Sequence, residues 1–482
     1  MKLCFKKVYT ISPKAEKPRV WLQHIVCETA GFEPGQTIYV SVDEASKQIV
    51  IRNQPSKDND QLIHVSSRKN ETSGKVRPIV DTAREEYKSI INVQQKVEIC
   101  VFRNGKESTV IVRPLKYQLF EKEVLSEQSE LIEPDDQRIR AMCIGSGAGF
   151  GMAAFEDTGY FRSVGAIEFE EDSAETYMFN FPSSFIFNGD LRDCNVVPKS
   201  DIAIVTLPCN EHSSLGDGES GLFTNLALET AEIIRASNPR TIFFENVPAF
   251  YKTDAYLTIK ELLSDEFPYW QERNIEAFDF GSIARRNRTY AVAFRSQEEF
   301  LKFKFPQPAK SIRRKKLREY MDGKHVQHDW KPLDRWLASF QSKAEKNNSW
   351  KDRSIDKTFV SGDATELQCI PKRYTGQSAS SSYVLSEDKK SFRFLSIAEL
   401  RKILSVPSWF QYPDHIGKIR QYEMLGQSID GRVFKAIANE IATMFYKTRY
   451  SIKEVAQQAK DNVEAFVQAV TMNSNGQIGF VL

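Results

Sequence analysis

The sequence lacks the features that mark membrane and secreted proteins. In its 482 residues, no apolar run reaches the roughly 18 residues of a membrane-spanning helix. The opening segment, MKLCFKKVYTISPKAEKPRV, is basic but has no apolar core of the kind found in signal peptides. We therefore expect a protein of the cytoplasm, or of the nucleus in a eukaryotic host, with no membrane partner.

The cysteines lack the pairing that a disulfide framework or a zinc site requires. The seven cysteines are odd in number and scattered along the chain, and no CxxC pair occurs. We expect most of them to be small buried side chains, and we expect no metal site.

An excess of charge of one sign is also missing, because 66 basic and 64 acidic residues give a net charge of +2. The chain as a whole therefore does not have the charge typical of nucleic-acid-binding proteins. The segment at residues 310–319, KSIRRKKLRE, is an exception. It fits either a solvated helix face or a stretch that contacts phosphates.

Three regions of the chain differ in pattern. Residues 1–115 are rich in short β patterns, residues 116–138 are acidic and polar like a linker helix or loop, and strands and helices alternate from residue 139. Within the first region, residues 20–52 and 77–113 predict the same order of elements. This order indicates an internal repeat, or two halves of one small barrel.

The alternating region predicts a doubly wound α/β domain of the Rossmann-like class. Its strands are continuous apolar runs such as DIAIVTL and TIFF, which are typical of a parallel sheet covered on both faces. Such sheets bind ligands at the carboxyl ends of their strands. Strands are predicted at residues 140–144, 163–168, 201–207, 241–244 and 289–294, and helices at residues 152–158, 174–179 and 222–236.

Three loops at that edge together suit an adenosine-containing cofactor. The first, GSGAGFG at residues 145–151, lets the backbone approach a ligand closely. The second carries Glu168, which can accept hydrogen bonds from a ribose, and Phe169, which can cover an adenine ring. The third carries Asp190, which can accept from an adenine amino group. Each loop alone fits a tight turn or a surface carboxylate equally well.

Candidate catalytic residues follow the next strands. Cys209 comes directly after DIAIVTL and Pro208, a position suited to a nucleophile, although most cysteines are inert. Glu245 follows TIFF at the same edge of the sheet. Arg286 and Arg288 precede the last strand, where arginines can hold an acidic group or a phosphate.

The order of these motifs resembles the C5-cytosine DNA methyltransferase family over residues 139–447. The Pro-Cys, Glu-Asn-Val and Arg-x-Arg motifs have the family's order and spacing. The C-terminal part is similar in four short elements: Arg393-Phe394-Leu395-Ser396, Glu399-Leu400, Val406-Pro407 and Gly426-Gln427-Ser428-Ile429.

The resemblance implies a DNA (cytosine-5-)-methyltransferase of the restriction-modification type that uses S-adenosylmethionine and is nucleoid-associated in a bacterium or phage. It implies that Cys209 adds to C6 of a cytosine flipped out of double-stranded DNA, under the loop at 211–221. It implies Glu245 at N3 of the base and Arg288 at O2 and the Cys209 loop, and it implies Arg286 as a further catalytic residue. The cofactor contacts implied are Gly145, Ser146, Gly147, Ala148, Gly149, Glu168, Phe169, Asp190, Leu191, Pro208, Gln427 and Ser428.

The chain departs from the family pattern mainly in the cofactor loop. The usual Asp-x-Phe is replaced by Cys143 and Gly145, and the usual phenylalanine contact to the cofactor is lost with it. Around the predicted base site, Leu207, Asn210 and Ala284 replace usual residues, and the last motif has Gln427 in place of asparagine. We therefore expect cofactor affinity to be the property in which the protein is unusual.

The remaining regions are assigned by position. The family places a target-recognition region at residues 297–390, the end of the catalytic domain (139–296) at 391–447, and a tail at 448–482. In the first half of the N-terminal region, Trp21-Leu22 and residues 30–35 resemble the swapped-hairpin AbrB-like family, in its SymE toxin-like branch. That likeness implies a small β domain that binds DNA or forms a dimer, and a purely structural appendage is an equal alternative.

Two other functions remain open at this stage. The same architecture serves RNA cytosine methyltransferases that act on tRNA. The altered cofactor loop also fits a DNA-binding regulator whose methyltransferase domain has degenerated.

Overall fold

The computed structural model describes residues 1–56, 60–69, 74–125, 136–208, 221–323, 326–346, 355–449, 470–472 and 478–480. Among these residues, the N-terminal region, residues 2–114, has ten strands and one short α-helix. Its elements are β1 (Lys2–Thr10), β2 (Ser12–Lys14), β3 (Lys17–Leu22), α1 (His24–Thr29), β4 (Thr37–Asp43), β5 (Gln48–Arg52), β6 (Gln61–His64), β7 (Ser66–Lys69), β8 (Val76–Ala83), a 3-10 turn (Glu85–Ser89), β9 (Lys96–Asn104) and β10 (Glu107–Pro114).

The internal repeat in this region is confirmed. The first half runs strand, helix, strand, strand from β3 to β5, and the second half repeats this order from β8 to β10, with the 3-10 turn in place of the helix. Equivalent strands of the two halves pair with each other in antiparallel fashion, β3 with β8 and β5 with β10. Each half therefore buries its apolar faces against the other half. Dimerisation through this region stays a prediction.

The next region has a central sheet with helices on both faces. Its elements are β11 (Glu123–Leu125), β12 (Ile139–Ile144), α2 (Phe150–Glu156), β13 (Phe161–Glu168), α3 (Glu171–Asn180), β14 (Phe185–Asn188), a 3-10 turn (Leu191–Asp193), β15 (Val196–Pro198), β16 (Ile202–Val205), α4 (Gly221–Ser237), β17 (Thr241–Asn246), a 3-10 turn (Pro248–Lys252), α5 (Asp254–Leu262), β18 (Tyr269–Glu276), a 3-10 turn (Ala277–Phe280), β19 (Asn287–Phe294) and α6 (Gln297–Lys302).

The strand order β18-β19-β17-β16-β12-β13-β14 confirms the Rossmann-like α/β class. The five strands from β17 to β14 are parallel, as predicted for the four at residues 140–144, 163–168, 201–207 and 241–244, and β14 is a fifth that was not among the predicted strands. Residues 289–294 form a strand as predicted, but its predicted parallel orientation was wrong, because β19 runs antiparallel to β17 and forms a hairpin with β18. Strand β18 was not predicted. It is a partly exposed edge strand, and its polar sequence, YWQERNIE, lacks the continuous apolar run of a buried strand.

The N-terminal region extends the same sheet. Strand β1 pairs in parallel with β14, with Lys7 opposite Asn188, and joins the two regions into one sheet of 13 strands. At the joint, the buried Lys6 Nζ donates to Asn195 Oδ1 at 2.5 Å, and within the N-terminal region it also pairs with Glu98 Oε2 at 2.7 Å. An open edge strand invites wrong pairing, and β1 covers this edge of the sheet.

Residues 116–138 were predicted as a linker helix or loop, and the structure of their described part differs from that prediction. Residues 123–125 form β11, which pairs in parallel with β15. Lys122 is buried and donates to the carbonyl oxygen of Cys194 at 2.7 Å. The beginning of this segment is therefore packed onto the sheet domain.

The C-terminal part forms a small four-stranded sheet and a group of helices. Helix α10 (Gly431–Arg449) returns to the central sheet, where Phe434 packs against Phe155 and Phe243. Residues 310–316 are not helical, and the Arg313 side chain is 89% exposed. No helix in the described ranges is long and apolar enough to cross a membrane. The elements are a 3-10 turn (Leu317–Glu319), β20 (Lys331–Pro332), α7 (Leu333–Lys346), β21 (Phe359–Val360), a 3-10 turn (Tyr374–Gly376), β22 (Tyr383–Leu385), β23 (Ser391–Arg393), α8 (Ile397–Ile403), α9 (Lys418–Gln427), α10 (Gly431–Arg449), β24 (Val470–Met472) and β25 (Ile478–Phe480).

Candidate active site

The glycine-rich loop lies at the carboxyl edge of the sheet, between β12 and α2. Gly145, Gly147 and Gly149 have φ angles of +70°, +53° and +96°, in the region that favours glycine. Ala148 is buried beneath the loop, whereas Ser146 is half-buried. A Cβ atom on Gly147 would meet no other atom within 4 Å. The loop therefore leaves open space over its backbone where the cofactor is predicted.

Glu168 ends β13, and its carboxylate reaches this loop. Its Oε2 accepts from the Gly147 N–H at 2.7 Å, and its Oε1 accepts from the Glu170 N–H at 2.8 Å. Burial raises the pKa of Glu168 to about 7, because desolvation outweighs these two hydrogen bonds. A ribose hydroxyl that donated to this carboxyl would favour the ionised form.

Phe169 follows on the same loop and is 71% exposed, so its ring is available to a ligand. The side chain of Asn188, at the end of β14, donates to the carbonyl oxygens of Glu168 at 3.0 Å and Phe169 at 3.2 Å. Asn188 thereby links the second and third predicted cofactor loops. Sequence reasoning missed this residue, because an asparagine at a strand end gives no distinct signal.

Asp190 begins the third loop and forms the N-cap of the 3-10 turn that follows. Its carboxylate accepts from the Arg192 Nε at 2.9 Å and from the Arg192 backbone N–H at 3.0 Å. These contacts with Arg192 hold the pKa of Asp190 below its usual value. Leu191 is buried at the base of the loop. Asp190 is thus an ionised acceptor next to the exposed ring of Phe169.

The departure at Gly145 has a steric reason. A Cβ atom on Gly145 would lie 2.7 Å from the carbonyl oxygen of Thr206. The Thr206 hydroxyl also donates to the Gly145 carbonyl oxygen at 2.7 Å. The glycine-rich loop is therefore held against the end of β16, and no larger side chain fits there. Cys143, the other departure, is buried, and burial raises the pKa of its thiol to about 12.

The predicted nucleophile itself, Cys209, lies outside the described residues, as does most of the loop at 211–221. The chain that leads to it is described as far as Pro208, which is exposed. The side chain of Asn246 donates to the carbonyl oxygen of Leu207 at 3.0 Å. The end of β17 therefore anchors the segment that enters Cys209.

Glu245 and Arg288 form an ion pair between neighbouring strands. The Arg288 Nε lies 3.1 Å from the Glu245 Oε1, and the two side chains are 17% and 9% exposed. Burial raises the pKa of Glu245, although Arg288 acts against this rise. Desolvation thus favours the protonated form of this carboxyl, which is the form that can donate a hydrogen bond, while the pairing with Arg288 favours the ionised form.

Arg286 has different contacts from Arg288. Its buried guanidinium donates to the carbonyl oxygens of Ile370 at 3.2 Å and Gly426 at 3.1 Å, and also to that of Ser428. Arg286 therefore ties the strand that carries Arg288 to two distant segments of the chain. These contacts fix the position of that strand.

The C-terminal motif at residues 426–429 lies against the segment at 370–372. A Cβ atom on Gly426 would lie 2.1 Å from the carbonyl oxygen of Pro371, so only glycine permits this approach. Gln427 is exposed at the end of α9, whereas Ser428 is buried and donates to the carbonyl oxygen of Leu425 at 2.8 Å. Because Arg286 donates to carbonyl oxygens of this motif, the motif connects helix α9 to the strand that carries Arg288.

The residues present fit an adenosine-containing cofactor. Open space over Gly147, an acidic group at Glu168, an exposed ring at Phe169 and an ionised Asp190 lie on three successive strand ends. Beyond β16 on the same edge, Glu245 lies near the end of β17 and Arg288 near the start of the antiparallel β19. The site therefore has two neighbouring parts. The cofactor half consists of the glycine-rich loop, Glu168, Phe169 and Asp190. The base half consists of Glu245, Arg288 and the segment that leads to Cys209.

A model of the C-5 cytosine-specific DNA methylase family matches residues 140–443. Among curated proteins, the type II methyltransferase M.Bsp6I of Bacillus sp. (strain RFL6) is 35% identical over 175 residues, which are 34% of this chain and 54% of that protein. The type II methyltransferase M.MspI of Moraxella sp. is 25% identical over 336 residues, which are 66% of this chain and 72% of that protein. The chain thus spans little more than half the length of the first of these relatives.

Among solved structures, the Dnmt2 methyltransferase of S. pombe is similar with a TM-score of 0.47 and 17% identity, over 65% of this chain and 100% of that one.

Proposed function

Since the chain belongs to the C-5 cytosine-specific DNA methylase family, as the order of its motifs indicated, we propose that it is a DNA (cytosine-5-)-methyltransferase. It transfers a methyl group from S-adenosylmethionine to C5 of a cytosine in double-stranded DNA. The observation that carries the proposal is the buried pair of Glu245 and Arg288, beside the anchored segment that leads to Cys209.

The cofactor half of the site would hold S-adenosylmethionine, which supplies an electrophilic methyl group. Glu168 would accept from the ribose hydroxyls, Phe169 would cover the adenine, and Asp190 would accept from the adenine amino group. The open backbone at Gly147 would face the amino acid portion of the cofactor. Gln427 and Ser428 would complete that end from helix α9.

The base half would activate the cytosine. The Cys209 thiolate would form a bond to C6, and the electron pair displaced from the C5–C6 double bond would make C5 nucleophilic. A protonated Glu245 would donate to N3 and lower the energy of this step. Arg288 would donate to O2 of the base. After methylation, loss of the C5 proton would return the electron pair, and the C6–S bond would break.

Arg286 is proposed as a positioning residue, because its guanidinium is occupied by backbone carbonyl oxygens. It would keep Arg288 aligned while residues 297–390 engage the DNA. C5 cannot be reached inside a duplex, so the base has to be flipped into the site. The relatives M.Bsp6I and M.MspI are type II methyltransferases, which supports a place in restriction-modification.

The test combines Cys209→Ser with a covalent trap. With labelled S-adenosylmethionine, we expect the wild type to label duplex DNA, and we expect Cys209→Ser to bind the cofactor equally well but transfer nothing. Duplex DNA containing 5-fluorocytosine should form an adduct with the wild type that survives denaturation, because the fluorine blocks the final elimination. The buried Cys194→Ser is the matched control and should retain the adduct.

Three results would contradict the proposal. Label found on tRNA and absent from duplex DNA would indicate the RNA enzyme. Absence of cofactor binding by the wild type would indicate a degenerate domain. Full transfer by Cys209→Ser would remove the nucleophile from the mechanism.

A further inference from the structure

The N-terminal region contacts two of the cofactor loops directly. Strand β1 is parallel to β14, so its carboxyl end lies at the ligand-binding edge of the sheet. A cleft of about 330 Å³ lies at this junction. It is lined on one side by residues 7–10 and Lys96, and on the other by Phe169, Glu171 and residues 188–190. The region thus forms a wall next to the loops that carry Phe169 and Asp190.

Two lysines of the N-terminal region pair with acids on these loops. Lys7 Nζ, from β1, lies 2.6 Å from Glu171 Oε2, and the two side chains are 10% and 32% exposed. Lys96 Nζ, from the start of β9, lies 2.9 Å and 2.7 Å from the two carboxylate oxygens of Asp193. Each of the two loops therefore has one ion pair across the junction.

Both acids are close along the chain to a predicted cofactor contact. Glu171 is two residues beyond Phe169 and begins α3. Asp193 ends the 3-10 turn that Asp190 caps. Lys96 also acts on Asp190 itself, since it helps to lower the pKa of that carboxyl after the larger effect of Arg192. A shift of either lysine would therefore move the cofactor loop that it holds.

We infer that Lys7 and Lys96 are positioning residues for the cofactor, so that the N-terminal region sets the shape and the charge of the adenosine end of the site. The inference rests on the proposed function. It gives this region a role in cofactor binding, in addition to the DNA-binding or dimerisation roles expected from its resemblance.

The inference explains how a chain with a glycine at position 145 can still hold its cofactor. The usual aromatic contact is missing from the first loop, and the steric contact with Thr206 prevents its return. Support for the second and third loops from outside the domain would offset that loss.

The test measures the Kd of S-adenosylmethionine by calorimetry on the full-length protein, together with the thermal midpoint without ligand. Lys96→Ala should weaken binding about threefold, as expected for an exposed ion pair. Glu171→Gln tests the other pair without removing the buried Lys7, and it should weaken binding to a similar extent. Lys14→Ala is the matched control, because Lys14 pairs with Asp81 at 2.8 Å and is 51% exposed, against 55% for Lys96.

The expected result is a higher Kd for Lys96→Ala and Glu171→Gln and an unchanged Kd for Lys14→Ala, whatever the small changes in thermal midpoint. If Lys96→Ala and Glu171→Gln both bind S-adenosylmethionine with wild-type affinity, the inference is wrong, and the proposed function is unaffected. An equal loss in Lys14→Ala would overturn it as well, because general loosening would then explain the effect. A wild type that binds no cofactor would overturn the proposed function, and the inference with it.

Discussion

The two halves of the candidate site are built in different ways. Most of the cofactor half is local, because its glycine-rich loop, Glu168 and Asp190 follow three strands within residues 139–193, and only Gln427 and Ser428 would join it from far along the chain. The base half combines distant parts of the chain, because Arg286 links the Arg288 strand to carbonyl oxygens at residues 370, 426 and 428. The base half keeps Glu245 and Arg288 together with Cys209, although residues beside them depart from the family pattern, whereas the cofactor half departs within its glycine-rich loop.

The difference follows from what each half must do. A glycine loop can change its sequence if neighbouring loops receive support, here from the N-terminal region. Under the proposed mechanism, the base half would hold a carboxyl, a guanidinium and a thiol in one geometry, so a change in any of them would remove a step of the reaction. Changes in the base half should therefore affect methyl transfer, and changes in the cofactor half should affect binding.

The largest expected effect is that of Glu245→Gln on transfer. The amide keeps the shape of the side chain but cannot pass a proton to N3, so we expect the transfer rate to fall about 10³-fold. Cofactor affinity should not change. Single-turnover assays with labelled S-adenosylmethionine and calorimetry measure the two properties.

Glu272→Gln, which changes a partly exposed carboxylate on the neighbouring edge strand, is the control. Equal transfer by Glu245→Gln and the wild type would contradict the role of Glu245.

The next effect concerns the joint between the distant segments. Arg286→Met leaves buried carbonyl oxygens without a donor, so the free energy of unfolding should fall by about 3 kcal/mol. Arg285→Met is the matched neighbour, since Arg285 is 43% exposed and pairs with Glu366, and it should cost less than about 1 kcal/mol. Urea unfolding of both variants gives the comparison. Similar losses would mean that Arg286 does not hold the base half together.

A smaller effect separates two glycines of the cofactor loop. Gly145 and Gly147 both have positive φ angles, so alanine should cost each of them about 1 kcal/mol from the backbone alone. At Gly145 the new Cβ also meets the Thr206 carbonyl oxygen, which should add about 2 kcal/mol. Thermal unfolding measures the difference. If Gly147→Ala is as destabilising as Gly145→Ala, the steric explanation of the altered loop is wrong.

The smallest effect is a pH dependence of cofactor binding. Burial raises the pKa of Glu168 to about 7, and only the carboxylate accepts from both ribose hydroxyls. Affinity should therefore rise about tenfold between about pH 6 and about pH 8 and level off above, because ionisation precedes binding at low pH. Calorimetry across this range should give a flat profile for Glu168→Gln. An affinity that falls with rising pH would show that the protonated form binds.

The sequence predicted the parallel strands well, because a strand buried on both faces is apolar at every position. It also predicted that Glu168 and Asp190 lie at strand ends, where the structure has them, since strand ends are marked by a change from apolar to polar residues. It missed β18, whose polar residues conceal an edge strand, and it gave no sign of Asn188 or Thr206. Such residues act through one hydrogen bond to a backbone that becomes adjacent only in the fold.

By itself, the sequence determined the Rossmann-like class, the family and the candidate residues, because apolar periodicity and motif order are local properties of the chain. Only the tertiary structure decided that Arg286 and Arg288 have different partners and that Gly145 has no room for a side chain. It alone decided that β1 joins β14 and brings Lys7 and Lys96 to the cofactor loops. These features depend on distances between segments far apart in the chain, which folding sets and which no local pattern encodes.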